Sequence, residues 1–199
     1  MRIHTGTLRA RMVALTMLLM PGIGVAAAPH EPVDEALAGS WQLDPERSDD
    51  AAGALDRALG DIARVLRPRD GRDGLSSGTS RARLEAQLLA PVNLPRERVR
   101  IQLKEDAAIF RVDDRPAERL ATDGRPSVVD GDRRGVRIAA WEDGALWIER
   151  TSDRGTRVVE RWRRTESGIR ADYRVRNDLF EDPVRFSLYF LPAGSESGS

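Results

Sequence analysis

The sequence contains no cysteine. Disulfides, thiolate nucleophiles, Cys-ligated metals and a lipid-anchoring cysteine are therefore excluded. Histidine is almost as scarce: His4 and His30 are the only two, both ahead of the region that patterns as a folded domain. Without imidazole there, a Ser-His-Asp hydrolase, histidine acid–base catalysis and most zinc or iron sites lose their central group. Lys104 is the single lysine; every other basic residue is arginine, which reads as codon usage rather than phosphate recognition. Aromatic residues make up only 5% of the chain, so the core must rest on Val, Ile, Leu and Ala with a few aromatic anchors. Charge of neither sign dominates, with 32 basic against 32 acidic residues. Loss of Arg2, Arg9 and Arg11 with a cleaved leader leaves 29 basic against 32 acidic, a net charge of −3. That balance argues against a general nucleic-acid binder, which needs a basic face to displace counterions.

What is present begins with an export pattern. Arg2, Arg9 and Arg11 precede the apolar run from Met12 to Met20, which Pro21, Gly22 and Gly24 interrupt before Ala26-Ala27-Ala28. Positive end, apolar stretch and small residues predict a signal peptide over residues 1–28, with the product in the periplasm or outside the cell. The run is shorter than the ~20 residues a membrane helix needs, and no second one follows, so no stable membrane insertion is expected after cleavage. Residues 29–38 read as a tether, 39–192 as one domain, and 193–199 as a disordered tail. A domain of that size can be stabilised by burial alone, because a chain of ~150 residues hides about 70% of its unfolded surface.

Within the domain, Leu37 to Leu43 reads as a first strand centred on Trp41, closed by an Asp44-Pro45 turn. Ser48 is placed as the cap of a helix over 48–66, with Asp49 and Asp50 in its first turn; Leu55, Leu59, Ile62 and Leu66 then share one face. A Gly/Ser/Asp/Arg-rich loop follows over 67–80, and a second short helix over 81–90 ends at Pro91. From Val99 the hydrophobic period becomes two. Strands are predicted around 98–104, 108–112, 118–121, 127–129, 136–141, 146–149, 157–164, 169–175 and 184–190, and Asp143-Gly144 gives the clearest hairpin turn. Short consecutive strands with one apolar face predict a mainly β fold, an antiparallel up-and-down barrel of about eight to ten strands that closes to remove its edges. The charged face is expected outside.

Candidate sites are few. Gly74-Leu75-Ser76-Ser77-Gly78 matches G-x-S-x-G, but it lies in a loop and has no histidine partner. Asp113, Asp114, Asp123, Asp130 and Asp132 lack the EF-hand spacing, and Asp-Gly is turn chemistry; no metal or cofactor is implied. Trp141, Trp147 and Trp162, together with Tyr173, stand on neighbouring strands and could line a ligand cavity, although aromatic core packing explains each one singly. Arg98, Arg100, Arg161, Arg163 and Arg164 could form a basic stripe, with adjacent acids favouring an ordinary solvated face.

Gly39-Ser40-Trp41 resembles the G-x-W signature on the first strand of lipocalins and related calycin barrels. The resemblance implies a Trp packed near an Arg from the last strand, for which Arg185 is the counterpart, and a ligand within the barrel. Four further stretches resemble a group of uncharacterised proteobacterial secreted proteins: Gly39 to Asp44 with Ser48 to Asp50, Ala121 to Arg125, Ala140 to Leu146, and Val159 to Trp162. That likeness implies a secreted barrel and brings no activity with it. Gly39, Trp41, Asp44, Ser48 and Arg185 are thus read as structural. The function expected first is non-catalytic binding of a small apolar or amphipathic ligand. The alternatives are a periplasmic interaction module, inhibitor-like or chaperone-like, with an envelope-protein partner, and then a carboxylate-based hydrolase.

Overall fold

A computed structural model describes residues 34–65, 86–129 and 135–194. The signal-peptide segment, His30, the loop over 67–80, the G-x-S-x-G match, Asp130, Asp132 and residues 195–199 lie outside the described residues. Ten strands are present among the described ones: β1 (Gly39–Asp44), β2 (Arg98–Lys104), β3 (Ala107–Val112), β4 (Glu118–Ala121), β5 (Ser127–Val129), β6 (Gly135–Glu142), β7 (Ala145–Ser152), β8 (Arg157–Arg164), β9 (Ile169–Arg176) and β10 (Val184–Pro192). Helix α1 (Ala51–Val65) joins β1 towards β2, and residues 86–89 are also helical.

The strands form one antiparallel sheet in the order β4-β3-β2-β1-β10-β9-β8-β7-β6-β5. First and last strands are neighbours, with Trp41 opposite Pro192 and Leu43 opposite Phe190. The sheet's two edges, β4 and β5, are consecutive in the chain but share no ladder. They are drawn together at one corner, where Asp123 bridges to Ala140 and the Gly124 N–H donates to the Ala139 carbonyl at 2.9 Å. The result is a nearly closed barrel with a seam, mainly β, as the two-residue period predicts.

Local chemistry explains the elements. Between β6 and β7, Asp143 and Gly144 have φ of 50° and 70°, the left-handed pair a two-residue hairpin turn requires. On most strands one face is apolar and buried: Val99 and Ile101, Phe110 and Val112, Leu146 and Ile148, Phe186, Leu188 and Phe190. Helix α1 lays Leu55, Leu59 and Ile62 on that same core.

Three local expectations are corrected. The tether expected to run through Ala38 is docked over its last residues: Glu35–Leu37 form a 3-10 turn and Leu37 is fully buried. Its carbonyl accepts the Trp41 indole N–H at 3.0 Å, which fixes the ring. Ser48 does not cap α1. Asp50 does, accepting the Gly53 N–H at 2.9 Å, while the Ser48 hydroxyl accepts the Tyr189 N–H at 2.9 Å and Asp49 accepts the Ser187 N–H at 2.7 Å. Residues 48 and 49 are thus spent on pairing with β10, which delays the helix until Ala51. Arg185 is not the partner of Trp41. It stands exposed on the outer face opposite Arg174, whereas the Arg164 guanidinium from β8 lies 5.2 Å from the Trp41 ring centroid. Asp44 Oδ1 accepts the Glu46 N–H at 3.1 Å in its turn, and Gly39, at φ 148°, opens β1 in a conformation that penalises a side chain.

Candidate functional site

The four aromatic residues proposed to line a cavity separate. Trp162 is 1% exposed, with its ring 5.3 Å from Phe110, 5.6 Å from Phe190 and 6.3 Å from Tyr173. Tyr173 in turn stacks on Phe186 at 4.9 Å. These rings fill one another's surroundings and make an aromatic core. Trp141, opposite Leu146, is half-buried at the margin of that core. Trp147 lies between the fully buried Leu146 and Ile148 and opposite Arg161, so it is on the outer face. The basic stripe separates too: Arg161 pairs with Asp143 at 3.3 Å and Arg163 with Asp172 at 3.0 Å, while Arg164 covers Trp41.

A second set of inward residues is charged. Glu118 on β4 reaches across the seam, Oε1 lying 2.9 Å from Arg137 Nη1 on β6 and Oε2 accepting from Arg150 Nη2 on β7 at 3.1 Å. Arg150 also donates to Glu160 Oε1 on β8, and the Trp162 indole N–H donates to Glu160 Oε2 at 2.9 Å. Arg150 and Glu160 are 5% and 2% exposed. Burial opposes the Arg150 charge, but Glu160 and Glu118 outweigh it and hold the guanidinium protonated. Burial lifts the Glu160 carboxyl above its ordinary range, against the pull of Arg150 and the Trp162 N–H. Burial, then Glu160, push the Tyr173 phenol well up, and its oxygen has no hydrogen-bond partner among the described residues. Two arginines face two glutamates, so the cluster is charge-balanced. It closes the wall where the ladder stops.

Sequence reasoning singled out none of Arg115, Glu118, Arg137, Arg150 or Glu160. A signal was present: Arg150 continues the inward series Leu146, Ile148, and Glu160 sits between the inward Val158 and Trp162. On β6 the expectation of a charged outer face is reversed. Arg137, opposite Arg150, points inward and Val136 outward. A glycosidase-type pair needs two acids across one cleft. Here Glu118 lines a cleft, while Glu160 lies behind it, tied to Arg150 and Trp162.

Two larger clefts lie elsewhere on the barrel, one of them bordering this cluster. One, of about 640 Å³, lies between α1 and the barrel and is walled by Leu43, Leu55, Leu59, Val92, Leu94 and Leu188, with Asp49, Asp50 and Asp56 on the helix side and Arg96 and Arg115 on the other. The second, about 450 Å³, opens along the seam over Asn93, Phe110, Val112, Arg115, Glu118, Arg119 and Arg137. Arg115, in the β3–β4 connection, belongs to both.

No protein-family model matches the sequence, and no curated protein does. Solved structures match in fold. A secretary abundant heat soluble protein from Ramazzottius varieornatus aligns over 79% of this chain and 96% of its own, at 11% identity and a TM-score of 0.50. A luciferase domain from the dinoflagellate Lingulodinium polyedrum aligns over 85% of this chain and 45% of its own, at 11% identity and a TM-score of 0.51. Lipid binding protein 8 of Caenorhabditis elegans aligns over 81% and 99%, at 12% identity and a TM-score of 0.49. The chain shares an antiparallel β-barrel fold with the first two of these structures. At such identities the likeness extends to fold and no further.

Proposed function

We propose that this protein is a non-catalytic barrel that holds a small apolar or amphipathic ligand. The observation that carries the proposal is the leucine-walled cleft of about 640 Å³ between α1 and the barrel. Its size falls within the roughly 300–1,000 Å³ of small-molecule sites, and its leucine-rich walls, with acids on one side and arginines on the other, suit a chain with one polar end. The ligand therefore lies against α1 rather than among Trp162 and Tyr173. Native mass spectrometry of protein purified from its own host should show an added mass that organic extraction removes. Ala52→Trp, which fills the cleft from an exposed helix position, should abolish that mass with the fold intact. Protein that carries no extractable molecule, and binds none of a panel of long-chain alcohols, esters and acids, would overturn the reading.

Export belongs to the same proposal. It is supported by the leader pattern over residues 1–28 and by the resemblance to secreted proteobacterial proteins. The envelope fraction should yield a chain that begins just after Ala28; an intact amino terminus in the cytoplasm would refute export.

A further inference from the structure

We propose that Arg115 seats the anionic head group of an amphiphile whose chain occupies the α1 cleft. The proposal rests on the ligand-binding reading above and adds to it the class of ligand and its orientation. Among the arginines that line the seam cleft, Arg119 is paired with Asp106 at 2.8 Å and Arg137 with Glu118 at 2.9 Å. Arg115 differs. Its two side-chain bonds go to neutral oxygens, the Asn93 side-chain carbonyl and the Leu94 backbone carbonyl at 3.3 Å. Asp114, its immediate neighbour in sequence, is exposed and makes no ion pair with it, and the Asp113 carboxylate on the same turn accepts the N–H groups of Arg96, Glu97 and Arg98 at 3.1, 3.0 and 3.0 Å. A half-buried guanidinium thus stands between two clefts with part of its hydration removed and, among the described residues, no carboxylate in ion-pair contact, Asp113 being near enough only to feel its charge. Such a group is costly to bury alone and bonds an anion more strongly than a neutral oxygen.

Among the described residues the barrel interior offers no rival seat. Arg137 and Arg150 are already balanced by Glu118 and Glu160, so an acid placed beside them would bring a net negative charge into a buried site. Asp49, Asp50 and Asp56 on the helix side of the α1 cleft repel an anion from that end. Arg96, the other arginine of this cleft, is exposed to solvent, so the head group is directed to the half-buried Arg115 and the chain lies back along Leu94, Val92, Leu59 and Leu55. Carboxylates and phosphate monoesters share the required chemistry.

The purified protein should be titrated calorimetrically with dodecanoate, dodecyl phosphate and uncharged methyl dodecanoate. At least one of the anions should bind about tenfold or more tightly than the ester, and which of the two does so identifies the head group. Arg115→Gln should erase that preference while ester binding persists; Arg115→Lys, which keeps the charge, should retain part of it. Equal binding of anion and ester to the unaltered protein, or a preference that survives Arg115→Gln, overturns the role of Arg115 and leaves the carrier reading standing. Failure of all three ligands to bind removes the carrier reading itself.

Discussion

The two halves of the barrel wall close by different physics. Where β1 meets β10, a backbone ladder runs unbroken and Trp162, Phe110, Tyr173, Phe186 and Phe190 pack behind it. Where β4 approaches β6, one corner bridge is supplemented by side chains, Glu118 to Arg137 and Arg150. Backbone pairing and apolar burial are tolerant of pH and salt; a wall made of ion pairs is set by charge, and each partner depends on the others. The contrast suggests that stability resides mainly in the aromatic half, while the seam is the part of the wall whose closure can be adjusted.

The sharpest test of that division is Trp162→Ala, which empties the middle of the aromatic core and also removes the N–H that serves Glu160. A loss of about 5 kcal/mol is expected, at the upper end for such truncations, read by urea denaturation. Arg150→Met should cost slightly less, about 4 kcal/mol near neutral pH, because the buried Glu160 would lose its cation while Glu118 kept only Arg137. Acid should then rescue this variant. In the unaltered protein the Glu160 carboxyl is already raised by burial, so the stability it contributes is full below the ordinary carboxyl value of about 4.3 and is lost as pH rises through its folded value. Arg150→Met should steepen that decline, and Arg150→Met with Glu160→Met should flatten it. A pH-independent Arg150→Met variant would show that the cluster is not charge-controlled.

Glu118→Gln comes next, at about 1–2 kcal/mol. Its more telling readout is amide exchange: β4 and β6 should open faster while β1 and β10 keep their protection. Uniform acceleration would erase the distinction between seam and ladder. The smallest effect belongs to the barrel end, where Arg164→Ala should cost about 0.5–1 kcal/mol through the lost contact with the Trp41 ring. Arg185→Ala should sit within the noise of thermal melts. The reverse order would restore Arg185 as the partner of Trp41.

Much of this fold is legible in the sequence, because period-two alternation and turn chemistry are local. Asp143-Gly144 announces its hairpin since both positions must tolerate positive φ, and Val99, Ile101, Phe110 and Val112 display their inner face by spacing alone. The helix start slips from Ser48 to Asp50 for a non-local reason: Ser48 and Asp49 bond to Tyr189 and Ser187 on a strand far along the chain. The partner of Trp41 is likewise hidden, since Arg164 and Arg185 differ only in which strand crosses the barrel end. The charged cluster is the largest omission. Glu118, Arg150 and Glu160 occupy inward positions, and a rule that places charge outside reads them as surface although their spacing says otherwise. Arg115 has no local signature at all; its significance lies in the carboxylate its neighbours have and it does not.

The seam also bears on how freely the chain order can be rewritten. Since Trp41 lies opposite Pro192, a short linker could splice the end of β10 to the start of β1, and new ends could be opened in residues 124–126, between two strands that share no ladder. Such a circular permutant would begin at β5 and finish at β4 with every interstrand pairing kept. It is expected to regain the parent near-ultraviolet spectrum, whereas a cut placed in the Asp143-Gly144 turn would divide two strands paired along their whole length.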